Sequence, residues 1–144
     1  MDPARFEDAR CRHSEVLAAI GALEAALRGA RPLHAAVAEY LAFHAGRLVP
    51  LMREEEAWLV PLIAQHLPSE VMPASLLRRE HETIELLASA LEEGLGQAGP
   101  DVEAELFTAA SDLCLMVRDH IRREDAVLHP LLLRLAGDAG ERPA

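Results

Sequence analysis

The sequence predicts an all-α protein, an up-down-up-down four-helix bundle assembled from two helical hairpins of the same design. An internal repeat is the first observation behind that reading. Residues 51–63 (LMREEEAWLVPLI) lie over residues 120–132 (HIRREDAVLHPLL) at an offset of 69, pairing Arg53 with Arg122, Glu55 with Glu124, Leu59 with Leu128 and Pro61 with Pro130. RHSEVLAAIGALE around His13 lies over EHETIELLASALE around His81 at an offset of 68. Self-similarity at a fixed period marks a repeated structural unit. The second observation is helical periodicity in four blocks. The third is composition: 51% hydrophobic residues, mostly Ala and Leu, with only 3% aromatic, favours helix over sheet.

The first helix is expected from about Arg5 to Arg28, where Gly29 and then Pro32 stop it. The second follows Pro32 and reaches about His66, closed by Leu67 and Pro68. Pro50 falls inside it, and its ring meets the carbonyl of Gly46, which predicts a kink rather than a break. Ser69 to Pro73 reads as a linker, and the third helix runs from about Ala74 to Leu95 before the flexible GLGQAGP. Asp101 reads as the N-cap of the fourth helix, with Glu103 and Glu105 in its first turn. That helix is expected to end near Leu135 and to leave GDAGERPA as a frayed tail. Pro61 and Pro130, matched by the repeat, are expected to bend the two helix ends alike.

At 144 residues the chain is expected to form one domain, 1–144, large enough for a real core. No apolar run approaches the roughly 18 residues of a membrane span. The opening MDPARFEDARCRH is charged throughout and lacks the pattern of a signal peptide, so a cytoplasmic protein is expected. A formal charge of −10 repels phosphate backbones and argues against a nucleic-acid partner. All 14 basic residues are arginine, in keeping with a GC-rich bacterial genome. Cys11 and Cys114 are too few for a disulfide framework and read as two buried thiols.

His120 and Glu124 are four apart, one turn along one helical face. That face also carries Leu113, Val117, Val127 and Leu131, expected in the core. A His and a Glu among leucines cost free energy unless something pairs with them. The repeat points Glu55 inward in the same way, and His13 and His81 share inner faces with Val16/Ile20 and Ile84/Leu91. Three imidazoles and two carboxylates thus converge, a donor set without thiolate that suits iron, manganese or zinc. Two carboxylates on opposite sides of a core have the reach to bridge a pair of ions.

This pattern resembles the hemerythrin-like, or HHE cation-binding, family. Its motif is a first-helix His, H-x-x-x-E(E)-x-x-L-F-P on the second helix, E-H on the third, and a second H-x-x-x-E with a trailing L-x-P. The resemblance covers about Arg10 to Leu133. It implies that His13, Glu55, His81, His120 and Glu124 match the family's iron ligands, with Glu55 and Glu124 bridging. In the family such residues hold a non-haem di-iron centre that binds dioxygen or senses oxygen, iron or redox state.

The chain departs from the motif at Leu51, where the family has a second-helix histidine, and at Leu77, where the founding oxygen carriers have another. With Leu51 in place, one iron position keeps His13 as its only terminal protein nitrogen. Solvent filling the vacancy, another side chain stepping in, and a single bound ion are all open. His44, about two turns and roughly 10 Å before Leu51, is a poor substitute. His34, His66 and His129 have no partner in the repeat and are expected at the surface or at helix ends. Glu54 and Glu56 read as a solvated face, and Glu85 as a surface or supporting carboxylate rather than a ligand. Trp58 and Phe43 are expected to pack beside the site and keep water out.

The leading functional reading is a non-enzymatic protein holding one or two iron ions and meeting a diatomic or peroxide ligand, with no nucleic-acid or membrane partner. The alternatives are an iron-dependent redox enzyme turning over peroxide or nitric oxide, and a bundle that has lost its metal and serves protein interaction. No nucleophile–base pair supports a hydrolase.

Overall fold

A computed structural model describes residues 2–141, with side chains to residue 137. Four helical rods make up these residues. Helix α1 is Pro3–Leu27. Helix α2 covers 33–66 and is built from Leu33–Phe43, a π-helical turn His44–Leu48, and Val49–His66. Helix α3 is Ser75–Leu95. Helix α4 covers 100–141 and is built from Pro100–Arg123, a second π-helical turn Glu124–Leu128, and His129–Glu141. Helix α1 packs against α2 and α4, and α3 packs against the same two, which closes the four into a bundle.

Local chemistry sets the ends. Asp2 caps α1 by accepting from the Ala4 amide at 3.0 Å. At the other end Gly29 adopts φ +84°, and the amides of Gly29 and Ala30 return to the carbonyls of Ala26 and Ala25. That reversal needs a left-handed residue, which glycine supplies without a Cβ clash. Helix α4 begins two residues earlier than expected. Pro100 occupies the first helical position and Gly99 the cap, so Asp101 falls in the first turn instead of capping it. The helix also runs on through Glu141, so residues 137–141 are helical rather than frayed; 142–144 lie outside the described residues.

Pro50 does not break the helix. Its missing N–H leaves Gly46 without the usual partner, and the helix widens into the π turn just before it, with the Val49 amide donating to the His44 carbonyl. Pro130 stands in the same relation to the second π turn, where the His129 amide donates to the Glu124 carbonyl. Pro61, the repeat partner of Pro130, lies in uninterrupted α-helix, so the two prolines are not accommodated alike.

The second π turn changes which side chains face inward. A turn closed by i→i+5 bonds holds one residue more than an α turn and advances the inward stripe by one position. Val127, expected in the core, is 61% exposed and Leu131 is only partly buried, while Leu128 and Leu132 are buried in their place. Of the cysteines, Cys114 is buried but Cys11 is exposed, and both are free thiols.

The core has two apolar layers with a polar layer between them. One contains Val16, Ile20, Leu51, Met52, Ile84, Val117 and Ile121, and the other Phe6, Leu59, Leu77, Leu128 and Leu132. Along each rod the polar residue falls between the layers: His13 between Phe6 and Val16, Glu55 between Met52 and Leu59, His81 between Leu77 and Ile84, Glu124 between Ile121 and Leu128. The register can be tested directly. Leu132→Ala should cost about 2–5 kcal/mol of stability. Val127→Ala should change it by less than about 0.5 kcal/mol. Equal costs in denaturant unfolding would mean that α4 has no π turn.

Candidate metal centre

All five expected ligands are buried, each at most 4% exposed. Glu55 and Glu124 divide their oxygens between two sides. On one side, His13 Nε2 lies 2.7 Å from Glu55 Oε1 and 3.2 Å from Glu124 Oε2. On the other, His81 Nε2 lies 3.5 Å from Glu55 Oε2, and His120 Nε2 lies 2.8 Å from Glu124 Oε1. The His81 and His120 Nε2 atoms are 3.1 Å apart.

These spacings suit coordination. Two ligands at about 2.1 Å from one ion and at right angles to each other stand about 3.0 Å apart. Glu55, His81, His120 and Glu124 each offer a donor atom within 4.8 Å of the others, close enough for a single ion. His13 falls outside that set and meets the remaining oxygens of the same two carboxylates. Neither Glu124 oxygen makes a hydrogen bond of good geometry despite its close imidazoles. Buried, unpaired carboxylate oxygens facing ring nitrogens are what a divalent cation would satisfy. The donor set therefore fits non-haem metal.

A ring of outer carboxylates orients the imidazoles. Asp125 Oδ1 accepts from His13 Nδ1 at 2.8 Å, Glu56 lies 3.3 Å from His81 Nδ1, and Glu80 lies 2.5 Å from His120 Nδ1. Arg123 holds Glu80 in turn at 2.7 Å. A carboxylate on Nδ1 fixes the ring and leaves Nε2 for a metal. Glu56 is thus turned toward His81 and is not part of a solvated face. Glu54 does face solvent, paired with Arg12. The pattern was present in the sequence: Glu56 and Asp125 each follow an inward Glu, and Glu80 precedes His81.

His129 is the largest departure from expectation. It is 2% exposed, and its ring stacks on His13 at 6.0 Å with Phe6 and Trp58 at 5.1 and 6.2 Å. An α-helical register from Glu124 turns residue 129 away from the site, and the π turn turns it back. The signal in the sequence was Pro130, which forces a local change in hydrogen bonding. Phe43 packs against Tyr40 in the other apolar layer, so Phe6 and Trp58 are the aromatic wall here. His44 donates to or accepts from the Tyr40 hydroxyl at 3.1 Å and takes no part in the site. His34 is exposed and His66 closes α2, as expected, and Glu85 pairs with Arg53 at the surface.

The profile of the Hemerythrin HHE cation binding domain matches residues 6–132. The chain belongs to this family. No curated protein and no solved structure matches it significantly.

Without metal, the carboxylates hold protons on the imidazoles. Burial opposes a charge on His13, but Glu124 and Glu55 overcome it and raise its pKa to about 11. Burial likewise opposes charge on His120, and Glu124 and Glu80 raise it to about 10. Burial alone would also raise Glu124, yet His120 and His13 hold it well below its ordinary value. Both histidine pKa values lie above the unfolded 6.5, so this stabilisation is complete below that pH and fades as pH rises through about 10 to 11. The Glu124 contribution has the opposite sense, present above 4.5 and lost in acid. Metal must expel the imidazole protons to bind. Uptake at pH 7 should therefore release protons and tighten from pH 5 to pH 8. In calorimetric titration the heat should vary with the ionisation enthalpy of the buffer, and a buffer-independent heat would contradict the protonated pairs.

Proposed function

We propose that this chain holds non-haem iron through His13, Glu55, His81, His120 and Glu124 and binds or senses dioxygen or a related small oxidant. The observation that carries the reading is the division of two buried carboxylates between imidazoles on opposite sides. Hard carboxylate oxygens with borderline imidazoles favour iron over softer metals, with manganese and zinc as competitors. When bound, the metal would supply the redox chemistry. The protein's own part is to hold five donors in register, fix each ring through its Nδ1 and keep bulk water out with Phe6, Trp58 and Leu77.

The layer order supports the expected topology. Helices α1 and α3 run from the Phe6–Leu77 layer toward the Val16–Ile84 layer, whereas α2 and α4 run the other way. This order favours an up-down-up-down bundle of two hairpins, each delivering one first-helix imidazole and one second-helix carboxylate. No helix among the described residues is long and apolar enough to cross a membrane.

An apolar cavity of about 240 Å³ reaches the same centre. It is lined in part by Leu76, Leu77, Val127 and Leu131 and touches His120 and Glu124. A diatomic or peroxide ligand would fit this path, and it approaches from the His81–His120 side. Glu80 and Arg123 also line it, joined by their ion pair.

Anaerobic loading with ferrous iron, followed by exposure to air, is the test. Iron should bind stoichiometrically, the absorption spectrum should change on oxygenation, and the loaded protein should melt at a higher temperature. His120→Ala should lose at least half of the iron, because it removes both a ring nitrogen and the partner of Glu124 Oε1. His66→Ala should keep all of it. Equal iron content in the two variants would refute the ligand assignment. Sustained consumption of peroxide or nitric oxide by the loaded protein would make it an enzyme rather than a binder.

A further inference from the structure

The His13 side of the centre has a second imidazole that the family motif does not supply. His129 Nε2 lies 3.9 Å from Glu124 Oε2, the same oxygen that faces His13 at 3.2 Å. Its Nδ1 lies 3.7 Å from Asp125 Oδ1, the atom that also accepts from His13 Nδ1. The two rings are nearly parallel, 20° apart, so both present Nε2 to the carboxylates and Nδ1 to Asp125.

We propose that His129 is the missing terminal nitrogen ligand of the His13 position and replaces the histidine that Leu51 displaced. This inference rests on the metal-binding reading above and goes beyond it, because it sets the number of ions at two. Each ion then has two imidazoles and one oxygen from each bridging carboxylate: His13 and His129 with Glu55 Oε1 and Glu124 Oε2, His81 and His120 with Glu55 Oε2 and Glu124 Oε1.

Three observations carry it. First, neither ring nitrogen of His129 has a hydrogen-bond partner, although the residue is 2% exposed. A buried imidazole left unpaired on both nitrogens is costly, and its neighbours Phe6 and Trp58 offer no acceptor in hydrogen-bond geometry. A cation bound at Nε2, with Nδ1–H drawn onto Asp125, would satisfy both. Second, the distances fall within the reach of one coordination sphere. Two ligands on opposite sides of an ion stand about 4.2 Å apart and adjacent ones about 3.0 Å, and 3.2 and 3.9 Å lie within that span. Third, the backbone aims the residue. The repeat places Val60 opposite His129, and Val60 follows an α-helical stretch and packs in the apolar layer. Only α4 carries a π turn between the bridging Glu and the proline, and that turn brings residue 129 onto the inner face.

Leu51 and His129 thus make one exchange. A nitrogen ligand is absent one turn before Glu55 on α2, and another is present just after Glu124 on α4. The exchange also explains the buried Leu51, which completes the Val16–Ile84 layer where a polar ring would have had no second role.

The test counts ions. Anaerobic titration with ferrous iron, read by metal analysis of the desalted protein, should give two ions per chain for the native protein and about one for His129→Phe. Phenylalanine suits a pocket already walled by Phe6 and Trp58, and His129→Gln is made in parallel so that a packing defect in one variant does not decide the result. Circular dichroism of the metal-free variants should match the native protein. The ion retained by His129→Phe should disappear on adding His120→Ala, which places it on the His81 side. One equivalent should weaken by at least about tenfold, the least that loss of a ligand's support usually costs. Two tightly held ions in both His129 variants would overturn the inference while leaving the metal-binding reading intact. A native protein that holds one ion, unchanged by His129→Phe, would do the same. A native protein that takes up no iron would overturn both.

Discussion

Two carboxylates in the middle of an apolar bundle set the terms for everything around them. Glu55 and Glu124 are each 2% exposed, with leucine and isoleucine layers on both sides. Stranding one such charge would cost about 3–5 kcal/mol, a large share of a domain's net stability of about 5–15 kcal/mol. The structure answers with imidazoles: His13 and His120 are held cationic against them, and His81 faces Glu55 from the far side. These pairs offset the cost of burying the two carboxylates.

The site is polar in shells. Carboxylates occupy the centre, imidazoles surround them, and Asp125, Glu56 and Glu80 form the outer ring, with Arg123 behind Glu80. Each outer carboxylate is adjacent in sequence to a central residue and reaches a different helix: Glu56 follows Glu55 on α2 and holds a ring on α3, Asp125 follows Glu124 on α4 and holds a ring on α1. The donors are therefore cross-linked between helices, so a shift of any one rod would disturb several contacts together. That coupling is what a centre needs if its geometry is to survive gain and loss of metal.

The π turn at Glu124–Leu128 is the main difference between the stretches of α2 and α4 that match in sequence. Pro130, which cannot donate to Ala126, leaves room for it, and the effects of the turn extend further. It moves Val127 to the surface and turns His129 toward His13, while the matched stretch of α2 stays α-helical and keeps Val60 in an apolar layer. One extra residue in a turn thus separates a buried imidazole beside His13 from an apolar packing position in otherwise similar sequences.

Much of this was written in the chain. The repeat and its periodicity foretold four helices, and the five residues His13, Glu55, His81, His120 and Glu124 stood out because polar side chains recur among apolar ones at a helical spacing. Those signals are local, carried by residues three and four apart on one face. The outer carboxylates were harder to see, since Glu56 and Asp125 look like ordinary surface acids until a neighbouring helix brings an imidazole to them. His129 was harder still. Its direction depends on how a helix absorbs a missing hydrogen bond before Pro130, and the same proline at position 61 is absorbed without a π turn. The pattern of side-chain types by itself determined the four helices and which polar residues are buried among them. Tertiary packing decided which register each proline-containing turn adopts, because that choice depends on what the turned side chains meet across the bundle.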